Sequence, residues 1–142
     1  MFVGIALLAI AIFQLAIATM AWKQRLPGNR FIGLRVPEVR KSADIWNTAH
    51  RVAAPLWLLS GVAFGFAGLS AWNATGWGWA LPVVLFIIAL AAYGAGAAQG
   101  AHTAAAVDAR RIQEEANGGP AAAVDLQALR RAAQQSEKPD NS

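Results

Sequence analysis

At 142 residues the chain has the length of one domain, but 56% hydrophobic residues, 14% charged residues and a mean hydropathy of +0.38 exclude the soluble globular class, in which about a quarter of residues are charged. The formal charge of +4 is concentrated: residues 23–51 carry seven basic side chains (Lys23, Arg25, Arg30, Arg35, Arg40, Lys41, Arg51) against Glu38 and Asp44, whereas the segment after His102 has five basic and six acidic residues. A nucleic-acid footprint, which needs a basic face on a soluble element, is excluded on that pattern; with no cysteine and only His50 and His102, so are disulfides, thiolate chemistry and a metal motif, and no cofactor is expected.

The first element is the uncharged run Phe2–Trp22, whose 21 residues make about 30 Å of helix, the thickness of a hydrocarbon core. Ala16-Ile17-Ala18 resembles a signal cleavage box. However, no Lys or Arg precedes the run and the first basic residues follow it, so a retained span is expected. Lys23–Lys41 reads as a loop, with a turn at Pro27-Gly28-Asn29 and Val36 held extended by Pro37. Ser42 is placed to cap a helix that starts at Ala43, with Asp44 in its first turn and Trp46 at headgroup level. That helix should run to about Ser70, with its membrane part near residues 52–71, and Pro55 should bend it unless the helix restarts there.

Trp72–Trp79 follows as a short turn with three tryptophans, an aromatic belt at one membrane face. Its Asn73-Ala74-Thr75 sequon has meaning only in a secretory pathway. Leu81 to about Gly100 is the third span, with Pro82 in its first turn. Helix should continue over Ala104–Ala116, where Arg110–Glu114 and Arg111–Glu115 are one turn apart, and break at Asn117-Gly118-Gly119-Pro120. Ala121–Gln135 allows a weak amphipathic helix through Val124, Leu126 and Leu129, with disorder after it. The expected fold is therefore an all-α membrane protein: residues 1–101 with three transmembrane helices and a basic cytoplasmic loop, and residues 102–142 as a cytoplasmic tail, helical then disordered. Positive charge on the cytoplasmic side of a bacterial inner membrane would put the N-terminus outside and the tail inside.

Small residues let membrane helices approach closely, so the GxxxG pairs Gly61/Gly65 (with Gly68 near the same face) and Gly96/Gly100 are candidate contacts, within the chain or between copies. The spans carry no charge. Gln14, Ser60 and Gln99 are their polar groups, best suited to interhelical hydrogen bonds. Ion coupling usually relies on an intramembrane ionisable group, and Ser60 has no histidine at its depth, so neither a pump nor a hydrolase is expected and no residue is assigned a catalytic role.

Asn29-Arg30-Phe31-Ile32-Gly33-Leu34-Arg35-Val36-Pro37, a short spacer, and then Trp46-Asn47-Thr48-Ala49-His50-Arg51 remain. This order resembles the SdpI family of small bacterial membrane proteins, whose signature is roughly N-x-x-x-G-x-R-T-P followed by W-x-x-x-(H/N)-R. Val36 departs from it where the family usually has Thr. The chain also has three spans where the founding type has an additional N-terminal membrane half. The resemblance implies immunity to a secreted, membrane-active peptide toxin, and signalling by holding a cytoplasmic regulator at the membrane. It marks Asn29, Gly33, Arg35, Pro37, Trp46, His50 and Arg51 as the candidate binding residues.

Read physically, Gly33 permits backbone shapes that other residues resist, and Arg30 and Arg35 suit lipid phosphates or an acidic partner. Trp46 and His50 share one helix face and Asn47 and Arg51 the next, a set able to clamp the loop onto the helix. The plainer reading leaves the arginines to enforce topology and Trp46 to anchor an interface. A specific site makes Arg35 and Trp46 matter more than Lys23 or Arg40. Expected partners are membrane lipids with a peptide toxin or cytoplasmic regulator. The competing reading is a structural accessory subunit of a larger bacterial membrane complex.

Overall fold

The computed structural model describes residues 1–28 and 32–118. Three α-helices account for most of them: α1 (Phe2–Trp22), α2 (Ala43–Ala71) and α3 (Ala80–Ala116). Each is long and apolar enough to cross a membrane, and there is no strand among the described residues. The protein is an all-α membrane protein with three spans. In lipid every backbone N–H and C=O must find a partner within the chain, and a helix meets that demand locally.

The helix ends follow from particular residues. Gln24, with φ at 54°, turns the chain off α1, and the Arg25 N–H reaches back to the Met20 carbonyl at 2.8 Å, occupying one of the last free acceptors. Ser42 is extended (φ −152°, ψ 156°) and its hydroxyl accepts from the Ile45 N–H at 3.2 Å, so α2 starts at Ala43 as its cap dictates. Pro55 lies on the exposed side of α2, which passes through it as a single helix rather than restarting.

Two expected loops contain helical turns. Pro37 (φ −55°, ψ −40°) begins a 3-10 turn at Glu38–Arg40 that buries Val39 completely. The tryptophan-rich turn coils over Gly76–Trp79 before α3 begins. α3 itself is 37 residues long, about 55 Å, well beyond what one bilayer crossing requires.

The helices pack as antiparallel neighbours around α2. Against α1, Leu8 lies over Gly68 and Leu15 over Gly61, where an added Cβ would come within 2.9 and 2.8 Å of the leucine side chains. At Gly65 the nearest atom to such a Cβ would be the Ala11 methyl at 3.8 Å, an ordinary contact. The close approach therefore runs through Gly61 and Gly68. Against α3, Gly96 faces the Ala53 carbonyl and Gly100 the Ala49 carbonyl, at 2.9 and 2.7 Å from the missing Cβ positions. Trp57 stacks on Tyr93 (5.5 Å, 16°) and Phe64 meets Phe86 edge-on, extending that seam.

Both glycine stripes face helices of the same chain. Interhelical hydrogen bonds were expected of Gln14 and Ser60, but Gln14 Nε2 and Ser60 Oγ are buried without a partner among the described residues. The seams around them are built of glycine, alanine, leucine and aromatic side chains, which offer no acceptor. Gln99 is exposed.

The chain divides into two compact units, Met1–Asp108 and Ala109–Ser142. In the second, the described residues complete the last turns of α3 and close it: Gly118 (φ 87°) donates its N–H to the Glu115 carbonyl at 3.2 Å. The helix expected at Ala121–Gln135 and the disorder expected after it lie outside the described residues.

Candidate functional site

α2 lines up Trp46, His50 and Trp57 on one buried stripe, as spacings of four and seven residues dictate. Trp46 and His50 overlap with ring centroids 4.1 Å apart, and Trp57 approaches His50 edge-on at 5.7 Å. Trp46 is 6% exposed, so it lies inside the bundle and is not the boundary anchor that its place near a span end suggested.

These side chains grip the loop through its main chain. His50 Nδ1 lies 2.7 Å from the Trp46 carbonyl, an oxygen that only accepts, so Nδ1 carries the proton. The neutral ring then presents a lone pair at Nε2, which accepts the Leu34 N–H at 3.0 Å. The Trp46 indole N–H donates to the Leu26 carbonyl, also at 3.0 Å. One turn of α2 thus holds the loop at Leu26 and again at Leu34, on either side of Pro27-Gly28.

Gly33 is what lets the second grip close. Its φ of +109° is a conformation that side chains resist, and a Cβ there would collide with His50 Nε2 and lie 3.0 Å from the Trp46 ring. Leu34 then drops into the bundle, 7% exposed, with its Cδ1 2.6 Å from where a Gly100 Cβ would be. Gly33, Trp46 and His50 from the signature and Gly100 from the third span therefore meet at one place. Arg35 is exposed beside them, Arg51 and Pro37 are exposed, and Asn47 is half-buried at a cavity of about 700 Å³ between the loop and the first turns of α2. Asn29 and Arg30 lie outside the described residues.

One anchor escaped the sequence reading. Lys41 Nζ donates to Asp108 at 2.6 Å, tying the end of the loop to α3, with the aspartate side chain 11% exposed and the lysine 49%. A signal for it was present, because Gly96, Gly100, Ala104 and Asp108 repeat every four residues along the buried side of α3.

A second cavity, about 330 Å³, lies between α1, the loop and α3, lined by Phe13, Gln14, Ile17, Arg35, Trp57 and Tyr93 among others. Chemically the arrangement holds the loop against α2. Both ring nitrogens of His50 are committed to backbone partners, so the one buried titratable ring has no free nitrogen for proton transfer.

These features define a class: a three-span membrane protein whose interhelical loop is pinned into the bundle by a Trp-x-x-x-His turn of its second helix. Residues 25–94, which contain the loop, α2 and much of the third span, match the model of the SdpI/YfhL protein family, and the chain belongs to that family. No curated protein and no solved structure matches it.

Proposed function

We propose that the protein is a non-catalytic immunity protein of the bacterial inner membrane, which protects its cell by binding a membrane-active peptide toxin. Family membership favours an immunity-type role. The observation that carries the binding reading is the closure of the two signature halves on each other. The Leu34–His50 bond brings them together and leaves Arg35 exposed beside a cavity open to a partner. The basic loop is cytoplasmic in this reading and the N-terminus and tryptophan-rich turn are outside, on the balance of positive charge.

The test is sensitivity of a deletion strain to its own and neighbouring strains' secreted peptides, with complementation by variants. Arg35→Lys keeps the charge but loses the planar fork of donors, and Trp46→Ala removes a loop anchor, so both should lose protection. Lys23→Gln and Arg40→Gln change only the count of positive charges and should protect like the wild type. If all four protect equally, the signature serves topology alone. Stoichiometric co-purification with a large complex, together with unchanged peptide sensitivity on deletion, would establish an accessory subunit instead. Since the chain has no cysteine, Gly28→Cys and Thr75→Cys give clean topology probes. Labelling of position 28 from outside would reverse the orientation.

A further inference from the structure

We propose that the cavity between α1, the loop and α3 is a binding site for an anionic phospholipid, with the lipid phosphate received by Gln14 and Arg35 and its acyl chains lying outside along α1. Gln14 is the first reason. It is 92% buried by its 8% exposure, it lines the cavity, and its amide nitrogen, sealed from solvent, has no hydrogen-bond partner among the described residues, so a turn of the amide is what would present it to the cavity. A buried amide N–H left unbonded within a membrane span is costly, and an acceptor arriving in the cavity removes that cost.

Arg35 is the second reason. It lines the same cavity from the loop, so the two polar side chains bring donors, and a guanidinium matches the oxygens of a phosphate. Arg35 is also engaged within the chain, and its five N–H donors allow a second partner.

The surroundings select a ligand from the bilayer over one from water. The remaining walls are Phe13, Ile17, Ile32, Gly33, Trp57 and Tyr93; Phe13 and Tyr93, one on α1 and one on α3, are 59% and 42% exposed. Both are flanks of membrane-spanning helices, so the mouth between them opens sideways to lipid. At about 330 Å³ the cavity lies at the small end of ligand sites, which run from roughly 300 to 1,000 Å³. It has room for a phosphodiester head but not for a whole lipid. The chains therefore stay outside against the exposed face of α1, where Phe13 projects.

The test uses the full chain purified in mild detergent, with lipid binding measured by native mass spectrometry and by thermal melting. Phosphatidylglycerol, phosphatidylcholine and inorganic phosphate serve as separate additives. Phosphatidylglycerol should bind and raise the melting temperature more than phosphatidylcholine, with inorganic phosphate giving little of the shift. Gln14→Leu should raise the melting temperature without lipid, since it removes the unbonded amide. It should also weaken phosphatidylglycerol binding about tenfold, as loss of one hydrogen bond to a charged group does. Arg35→Gln should abolish the preference for the anionic lipid.

Equal binding of the two lipids, or full phosphatidylglycerol binding by Gln14→Leu, overturns the proposal. A full shift with inorganic phosphate alone replaces the lipid by a free anion and also overturns it. The result is independent of toxin immunity, because none of these measurements uses a peptide.

Discussion

The loop end of the helical bundle buries a tryptophan, Trp46, where the opposite end leaves its tryptophans exposed. At the loop end Trp46 is 6% exposed and its indole N–H is bonded to the Leu26 main-chain carbonyl, while Trp22, at the end of α1, is 51% exposed. At the other end Trp72, Trp77 and Trp79 are 44%, 94% and 38% exposed, and the Gly76–Trp79 turn buries nothing. Tryptophan near a span end is commonly a boundary anchor, and the turn fits that rule. The loop breaks it because its main chain, carried into an apolar bundle, needs donors and acceptors that water cannot supply there. Position relative to the span predicts a boundary anchor; the need of a neighbouring backbone predicts a buried one.

The contrast is broken most severely at Gly33. Gly33→Ala forces a Cβ into the His50 ring at a φ that alanine resists, and should cost more than about 3 kcal/mol in a detergent melt, releasing the loop. Next is the notch that receives Leu34. Gly100→Ala should cost about 1–3 kcal/mol by overpacking, whereas Gly65→Ala, whose Cβ would make only an ordinary contact with Ala11, should be close to neutral.

Trp46→Phe keeps an aromatic ring but strands the Leu26 carbonyl, for an expected loss of about 1–3 kcal/mol. Trp77→Phe at the other end should stay within about 0.5 kcal/mol, and equal losses at both positions would erase the distinction between the ends. A small effect is also expected at the ion pair of half-exposed Lys41 with Asp108. Lys41→Gln should cost about 1 kcal/mol or less, a difference that shrinks as salt is added to the melt.

Much of the fold was legible because the signals are long and redundant. Uncharged runs of bilayer length mark the spans, and Ser42 marks the start of α2 to the residue. The site was legible as a set and not as contacts. Trp46 and His50 share a face and both engage the loop, but their partners are the Leu26 carbonyl and the Leu34 N–H, whose positions depend on the loop's path. Arg51 follows His50 directly, so it points about 100° around the helix and stays exposed.

The glycine motif also misled by one turn. GxxxG selects Gly61 and Gly65, whereas the seam with α1 tightens at Gly61 and Gly68, seven residues apart, where Leu15 and Leu8 come down. The partner's large side chains decide which glycines are needed, and a spacing rule applied to one helix does not contain them.

Since Trp46 and His50 take hold of main-chain atoms, the clamp is indifferent to most of the side chains it restrains. Val36, standing where the family usually has threonine, takes no part in either bond. A saturation mutagenesis map of the loop should therefore be uneven: intolerant at Gly33, restricted at Leu34 by the size of its pocket, and permissive at exposed Pro27 and Gly28. Such a latch can keep its shape while the side chains of the surface it displays are exchanged.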